Sequence, residues 1–398
     1  MLICFLLLTL VRGQSISSPQ YVWSSLPNAP LAMGEVGAAV VGDLLFVMGW
    51  TDAAADKTKV NSFDLKAAQW RPVNATAPRL LPGDHHTIQV VGKKMFVLGG
   101  LRGSEGKVQI FDADLNKWSL GPDLPWAVGA CSSAVIAGKI VVVGGTNEPT
   151  PINGCAILDP ANLAAGWSAC PALPSTGQHH MAGGTDGSRL FVWGGRGFSP
   201  LDFHARFDLA ANQWTTPTAG KLPVGRAGMG VAAFLDGKFF VMGGEGGPNP
   251  AVQFHDRVDV FDPITNSWTV GPSLPTMRHG IAPAVWGGAI YVACGGSQQF
   301  AFAPTTTLFV LRPVATTTTP TTTTAAATTA AATSSQLQSL APTTSLAPTL
   351  ATSEAPVVSS SPTETTQDVT TTRAASTTSG AASLRFRVVA LVALVVIF

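Results

Sequence analysis

Titratable and positively charged side chains recur in this sequence shortly before a series of glycine-ended apolar segments. The predicted binding set comprises Glu35, Asp84, His85, His86, His179, His180, Arg226, Arg278 and His279. Arg102, Arg196 and Glu245 follow the glycines of three of these segments. Polar groups that converge at a concave surface are the usual hypothesis for a binding site. Whether these residues converge depends on the elements that carry them.

Metal binding is one chemistry open to such a set. Imidazoles bind Zn, Cu or Ni, and His85, His86, His179 and His180 could supply them. Adjacent residues of a strand point to opposite faces, so each histidine pair offers one ligand to a common centre. We therefore expect no bound metal and no cofactor.

The elements that carry these residues are repeats of about fifty residues. A short apolar strand ending in glycine occurs six times, as LLFVMGW, KMFVLGG, KIVVVGG, RLFVWGG, KFFVMGG and AIYVACGG. From the first glycine of each, the steps are 50, 45, 50, 49 and 52 residues. A repeat of this length indicates a ring of similar β-sheets, because each repeat must bury its apolar faces against its neighbours.

Two further signals share this period. An aspartate precedes a tryptophan in five repeats, at Asp64 and Trp70, Asp112 and Trp118, Asp159 and Trp167, Asp208 and Trp214, and Asp262 and Trp268. Leu-Pro occurs six times, with the prolines at 27, 82, 125, 174, 223 and 275. Aspartate opens a hairpin by bonding its own backbone, and tryptophan fills the wedge between neighbouring sheets.

The double glycine and the spaced tryptophan resemble kelch repeats, over residues 20–313. The resemblance implies an all-β fold, a six-bladed kelch-type β-propeller of four-stranded antiparallel blades. In that architecture the starts of the inner strands and the loops after the glycines face one mouth of the central channel, where the predicted binding set would lie. Gly49-Trp50 departs from the double glycine.

The repeat count also predicts how the ring closes. The sixth glycine strand is followed by TTLFVLRP, with neither the aspartate nor the tryptophan of the other repeats. The missing tryptophan is Trp23, near the start of the chain. We therefore expect residues 20–25 to form the outermost strand of the last blade, paired with residues 308–311.

The cysteines predict one disulfide. Cys155 and Cys170 flank the hairpin of the third repeat almost symmetrically, so they should lie opposite each other on neighbouring strands. Cys131 and Cys294 fall in the third and sixth repeats, across the ring, and are expected to be buried thiols.

Both ends of the chain carry targeting patterns. Residues 1–13 have an apolar run and small residues at a cleavage position, which predicts a signal peptide. Residues 314–383 are rich in Ser, Thr, Pro and Ala, which predicts a disordered, O-glycosylated stalk. The apolar tail within residues 384–398 predicts a GPI anchor attached near Ser379 or Gly380, placing the protein on the outer face of the plasma membrane. A short transmembrane tail is the alternative.

Charge and modification patterns limit the classes of partner that the chain is expected to bind. A formal net charge of +1 with 12% charged residues leaves no basic run, which argues against nucleic acid. The sequon at Asn74 predicts a glycosylated, non-interface surface. We expect an extracellular module that binds a protein or a glycan, although a channel wall facing trapped water would expose the same polar residues.

An enzyme is the alternative function. Galactose oxidase, a similar propeller, holds copper with tyrosines and histidines, but this chain has only Tyr21 and Tyr291, neither expected at the mouth. The kelch-like sialic acid mutarotase uses Arg, Glu and His at its channel. Resemblance to it implies a carbohydrate-active enzyme with proton transfer at an anomeric centre, using Glu35, His180, Arg226 and Arg278.

Overall fold

A computed structural model describes residues 20–197, 201–246, 254–299 and 303–314, all within the compact unit formed by residues 1–321. These residues form 28 β-strands and three short 3-10 helices, η1(Ala54–Asp56), η2(Val73–Ala75) and η3(Leu163–Ala165). The predicted signal peptide, the anchor, Ser379, Gly380 and all of the stalk after Val314 lie outside the described residues. No helix among the described residues is long and apolar enough to cross a membrane.

The strands form six four-stranded antiparallel sheets, the blades of a propeller, as predicted. Blade 1 contains β2(Gly34–Val41), β3(Leu44–Trp50), β4(Asn61–Asp64) and β5(Gln69–Trp70), and blade 2 contains β6(Thr87–Val91), β7(Lys94–Leu98), β8(Val108–Asp112) and β9(Lys117–Leu120). Blade 3 contains β10(Ser132–Ile136), β11(Lys139–Val143), β14(Cys155–Leu158) and β15(Trp167–Ala169), and blade 4 contains β17(Ala182–Thr185), β18(Arg189–Trp193), β20(His204–Asp208) and β21(Gln213–Thr215).

The last two blades complete the ring. Blade 5 contains β22(Ala233–Leu235), β23(Lys238–Met242), β24(Val258–Asp262) and β25(Ser267–Val270). Blade 6 contains β26(Ala284–Trp286), β27(Ala289–Ala293), β28(Leu308–Pro313) and β1(Tyr21–Leu26). Two short hairpin sheets accompany them, one of β12(Thr146–Asn147) with β13(Thr150–Pro151) and one of β16(Gln178–His179) with β19(Arg196–Gly197).

The core lies between neighbouring blades. The second strand of each blade is apolar on both faces because another sheet covers each face. In β11 the residues from Ile140 to Val143 are fully buried. Ile140 and Val142 pack with Phe96 and Val108 of the preceding blade. The continuous apolar run that the sequence shows is therefore a requirement of the stacked sheets.

Tryptophan and aspartate serve the roles predicted for them. The indole Nε1–H of Trp70 donates to the carbonyl of Pro27 at 2.6 Å, and that of Trp214 donates to Pro171 at 2.7 Å. Each such bond joins an outer strand to the segment that leads in from the blade before it. Asp64 accepts from the backbone of the hairpin that follows it, at 2.8 Å from the nitrogen of Ala67.

The double glycine takes a left-handed backbone that joins adjacent blades. Gly99 and Gly100 have φ of 60° and 122°, and the N–H of Gly100 donates to Val128 of the next blade. Two blades differ from this pattern. Blade 1 stays extended through Trp50, and in blade 6 Cys294, with φ of 61°, replaces the first glycine. In the sixth repeat the glycine pair is therefore replaced by Cys294 and Gly295, one residue earlier than the alignment on Gly295 and Gly296 predicted.

The N-terminal strand closes the ring as predicted. In the antiparallel pair of β1 and β28, Trp23 faces Leu311 and Ser25 faces Phe309. The backbone N–H of Val314 also donates to Gln20 at 2.6 Å. Blade 6 is therefore built from both ends of the described chain.

The cysteines lie where the sequence placed them. Cys155 and Cys170 form a disulfide in blade 3 with Cα atoms 5.1 Å apart. Within the residues that the structure describes, Cys131 and Cys294 are unpaired and buried. Asn74 lies on the exposed face of η2, a position open to the predicted glycan.

Candidate functional site

A ring of six backbone positions, one from each blade, surrounds one end of the channel. Each position lies at or shortly before the start of an inner strand and has a positive φ: Glu35 (45°), His85 (55°), Ala130 (52°), His180 (57°), Gly228 (73°) and Gly280 (56°). The N–H of each of the last five donates to the carbonyl of the position before it, at 2.7–3.1 Å. Val36 N–H closes the circle by donating to Gly280 at 2.8 Å. We call these six positions the ring.

The three polar members of the ring come together. One donor atom each from Glu35, His85 and His180 lies within 4.8 Å of the other two. The imidazole centroids of His85 and His180 are 5.0 Å apart. Three elements that are far apart in the chain therefore place their side chains at one point.

The side chains of His179 and His180 depart from the alternation expected of neighbouring strand residues. His179 and His180 do not point to opposite faces, because their Nδ1 atoms are 2.5 Å apart. The expectation that alternation leaves each pair with one ligand is therefore wrong for this pair. It is correct for the other pair, since His85 joins the ring cluster while His86 Nε2 contacts Arg79 and Ser104, at 3.0 and 3.2 Å.

Glu35 forms ion pairs on both sides. Its carboxylate is 3.2 Å from His85 Nε2 and 3.0 Å from His279 Nδ1. Burial alone would raise the pKa of Glu35, but the charge of His85 and the hydrogen bond from His279 lower it to about 2. Burial opposes the charge on His279, but Glu35 raises the pKa of that imidazole to about 9. Both groups are therefore charged at neutral pH.

Asp84 and Glu245 anchor two arginines at the rim of the site. Asp84 accepts hydrogen bonds from His85 Nδ1–H and from the Arg102 guanidinium. Glu245 lies 2.5 Å from Arg196 Nη2. The two carboxylate side chains are 1% and 4% exposed, whereas the two arginine side chains are 35% and 32% exposed. Buried carboxylates thus fix guanidinium groups that face solvent.

Trp50 extends this rim. Its ring lies 4.7 Å from Lys57 Nζ and 5.7 Å from the guanidinium carbon of Arg102. Cations over the face of an indole are attracted by its π electrons. The departure from the double glycine in blade 1 therefore places an aromatic side chain beside the charged cluster.

The structure places two predicted site residues away from the cluster. Arg226 is fully buried, with Nη1 at 2.9 Å from Asp259, and its Nε–H donates to the Gly243 carbonyl. Arg278 donates to the carbonyl of Met277 at 2.7 Å. Both guanidiniums turn into the blades because a buried guanidinium needs acceptors, and backbone carbonyls and Asp259 provide them there.

The ring encloses a small cavity. Its volume is about 50 Å³, and its lining includes Glu35, His85, His180 and the two glycines of the ring. A Cβ on Gly280 would come within 2.5 Å of a Glu35 carboxylate oxygen, so this glycine makes room for the carboxylate. Pockets that enclose drug-sized ligands measure roughly 300–1,000 Å³. The cavity can hold an ion or a few waters, and a larger ligand would contact the rim.

Half of the ring was not predicted from the sequence. Ala130, Gly228 and Gly280 share the backbone position of Glu35, His85 and His180 but have no polar side chain. Their distance from the following glycine strand is the signal that could have found them. The contact between His179 and His180 had no such signal in the sequence.

Family comparisons match two parts of the chain. A family model described as the KLHDC2/KLHL20/DRC7 Kelch-repeats domain matches residues 167–336. A second model, the Kelch motif, matches residues 82–125. Together the two models cover the strands of blade 2 and all strands from β15 to β28.

Relatives and a solved structure support the same fold. Kelch-like protein terF of Aspergillus terreus is 27% identical over 301 residues, covering 69% of this chain and 64% of that protein. Human Kelch-like protein 33 is 32% identical over 141 residues, covering 34% of this chain and 25% of that protein. The chain thus spans less than two thirds of either relative. The structure of YjhT is similar with a TM-score of 0.57 and 16% identity, covering 71% of this chain and 96% of that one.

Proposed function

Because the chain belongs to the kelch-repeat β-propeller family, we propose that it is an extracellular interaction module that binds a protein or a glycan at the rim around Arg102 and Arg196. The anchored arginines carry this proposal. Each guanidinium is held by a buried carboxylate and is about one third exposed. A group that is already oriented loses little conformational entropy when it binds a carboxylate or a hydroxyl of a partner.

The aromatic side chain beside these arginines supports binding. Trp50 lies next to Arg102, and Trp and Arg are enriched among the residues that dominate binding energies. Trp50 also adds apolar surface that a sugar ring or a partner side chain can contact. The rim thus combines oriented charges with an aromatic side chain.

Sugar turnover, the alternative function, has less support from this geometry. A cavity of about 50 Å³ is too small to enclose a sugar ring. Acid-base catalysis near neutral pH is most efficient when the pKa values of the groups lie near the working pH. Those of Glu35 and His279, about 2 and about 9, lie far on either side of it.

The predicted leader, stalk and tail support a place at the cell surface. The disulfide between Cys155 and Cys170 agrees with an oxidising compartment, since such bonds persist in secreted proteins. Treating cells that express the full chain with phosphatidylinositol-specific phospholipase C tests the anchor. Release of the protein would support a glycolipid, and retention would favour the short transmembrane tail.

Binding is tested with the purified full-length protein on glycan arrays and panels of extracellular proteins. The double variant Arg102→Ala, Arg196→Ala should lower the affinity for any ligand found in these screens at least about tenfold. Arg206→Ala is the matched control, because that arginine lies on β20 and contacts Thr215. A ligand that binds the double variant as tightly as the unchanged protein would contradict binding at the rim. Sugar anomerisation that the double variant abolishes would favour the enzyme instead.

A further inference from the structure

We propose that Glu35, His85 and His180 bind one divalent transition-metal ion, of the kind represented by Zn²⁺, at the end of the channel. This goes beyond the proposed binding function, which concerns the rim. Two imidazoles and one carboxylate form a frequent ligand set for such ions, with further positions left for water.

The donor atoms are already near the positions that a metal requires. In a tetrahedral zinc site the ligand distances of about 2.0–2.2 Å place the donors roughly 3.3–3.6 Å apart. Glu35 and His85 come close to this spacing, at 3.2 Å between Oε2 and Nε2. The donor of His180 lies within 4.8 Å of both. Small side-chain rotations of His180 complete the set.

Neighbouring groups orient both imidazoles. His85 donates from Nδ1 to the buried carboxylate of Asp84, which directs Nε2 towards Glu35. His180 is held through Nδ1 by its contact with His179, which leaves the other ring nitrogen for a ligand bond. Metal-binding histidines typically use the second nitrogen in this way, and a carboxylate is a common partner.

The backbone of the ring sets the direction of the three side chains. Glu35, His85 and His180 all have φ between 45° and 57°, a region that favours glycine. Gly228 and Gly280 show that glycine is accepted at the same position in other blades. Ala130 shares this conformation, with φ of 52°, so the left-handed backbone belongs to the ring position in every blade. At three of the six positions it directs ligand-type side chains to one point.

Volume and charge also suit a cation. The cavity of about 50 Å³ is large enough for an ion with one or two waters, since a water needs roughly 10–15 Å³ by the same measure. Three buried carboxylates, those of Glu35, Asp84 and Glu245, surround the point. The positive groups beside them are the charged His279 and the two arginines at the rim, which are partly exposed. Ca²⁺ and Mg²⁺ prefer sites built from oxygen, so the two imidazoles select against them.

Titration of the metal-stripped, full-length protein with Zn²⁺ and Co²⁺ tests the site. We expect one ion per chain, a tetrahedral Co²⁺ visible spectrum, and no competition by Ca²⁺ or Mg²⁺. Glu35→Gln and His180→Gln should each weaken binding at least about tenfold. His255→Gln is the control, because that imidazole contacts the Gly246 carbonyl outside the ring, and it should bind as the unchanged chain does.

Two results would overturn the proposal. One is the absence of stoichiometric Zn²⁺ or Co²⁺ binding to the unchanged protein. The other is a metal affinity of the Glu35 and His180 variants that equals that of the unchanged protein. If those variants do not fold, anomalous diffraction from zinc-soaked crystals of the unchanged protein decides. A peak among Glu35, His85 and His180 supports the site, and a peak elsewhere or none rejects it.

Discussion

His204 on β20 is a buried imidazole whose contacts lie outside the ring cluster. It stacks on Trp193, with centroids 5.1 Å apart and planes 4° apart, and its Nδ1–H donates to the Val192 carbonyl at 3.1 Å. Its Nε2 is buried without a hydrogen-bond partner among the described residues. Burial lowers the pKa of His204 to about 4, although the bond to Val192 opposes the shift. This side chain is therefore neutral in the folded protein at pH 7.

Protonation of His204 should destabilise the fold in mild acid. The pKa is about 6.5 in the unfolded chain and about 4 in the folded one, so the unfolded state binds the extra proton first as pH falls. Stability from this group is present above pH 6.5 and is lost as pH falls to 4, by about 3 kcal/mol in all. Urea unfolding of the unchanged protein and His204→Gln at pH 7, 6 and 5 measures this.

The variant should lose less stability between pH 7 and pH 5 than the unchanged protein. His86, His179 and His180, whose pKa values burial also lowers, remain in both proteins. Their contribution therefore cancels in the difference. Parallel stability curves for the two proteins would show that His204 is not the responsible group.

Individual side chains could be placed from sequence only where the backbone fixes their direction. Glu35, His85 and His180 were predicted to approach one another because the repeats align them, and they do. Arg226 and Arg278 share an offset with each other, yet both turn inward. A long guanidinium reaches whichever acceptors lie near it, and Asp259 comes from a strand whose packing no local pattern reveals.

At the scale of strands and turns, the repeat pattern predicted the elements well. The second strands, the aspartate hairpins and the outer tryptophans occur where the period places them. The exceptions are Trp50, which prolongs β3, and Cys294, which takes a glycine-like φ of 61°. Both depend on contacts with the next blade, which a pattern within one repeat does not contain.

A Cβ at the first glycine of the pair should lower the stability of the fold because it would clash with the backbone of the segment leading to the next blade. Gly243 has φ of 60°, and a Cβ there would lie 2.3 Å from the Arg278 carbonyl oxygen. Gly237 of the same blade has φ of 74°, but nothing lies within 4 Å of its Cβ position. We expect Gly243→Ala to cost about 2–4 kcal/mol and Gly237→Ala about 1 kcal/mol.

Chemical denaturation of the two alanine variants measures the difference in their free energies of unfolding. Both variants place alanine on a left-handed backbone, but only Gly243→Ala introduces a clash. A larger loss for Gly243→Ala would show that the blades approach each other closely at the pair. Equal losses would show that backbone conformation alone explains the glycine.

For the whole molecule, the number and order of blades followed from counting. Six glycine strands but only five downstream tryptophans left one place for Trp23, and β1 occupies it. The ring of backbone bonds at the channel end had no such signal, because Ala130, Gly228 and Gly280 carry no distinctive side chain. Global closure was thus more predictable than the local geometry that completes the site.

The ring closure can be tested at Trp23. Its indole Nε1–H donates to the Pro272 carbonyl of blade 5 at 2.9 Å, and its ring packs on the core between blades 5 and 6. Val22, its neighbour on β1, is 55% exposed. Trp23→Ala should lower the free energy of unfolding by about 3 kcal/mol, whereas Val22→Ala should change it by less than about 0.5 kcal/mol.

Thermal and urea unfolding of both variants provide the measurement. A loss at Trp23 no larger than at Val22 would mean that the N-terminal strand does not hold blades 5 and 6 together. A large loss for Trp23 alone ties the stability of the ring to this strand.

Pairing of the first strand with the last has a consequence for biosynthesis. Ser24 and Arg312, which contact each other across β1 and β28, are 288 positions apart in the chain. At about 5–20 residues per second, a ribosome needs roughly 15–60 s to make that length. Throughout this time β28 is missing, so a product terminated before residue 308 leaves the backbone edge of the N-terminal strand unpaired, where chaperones can recognise it.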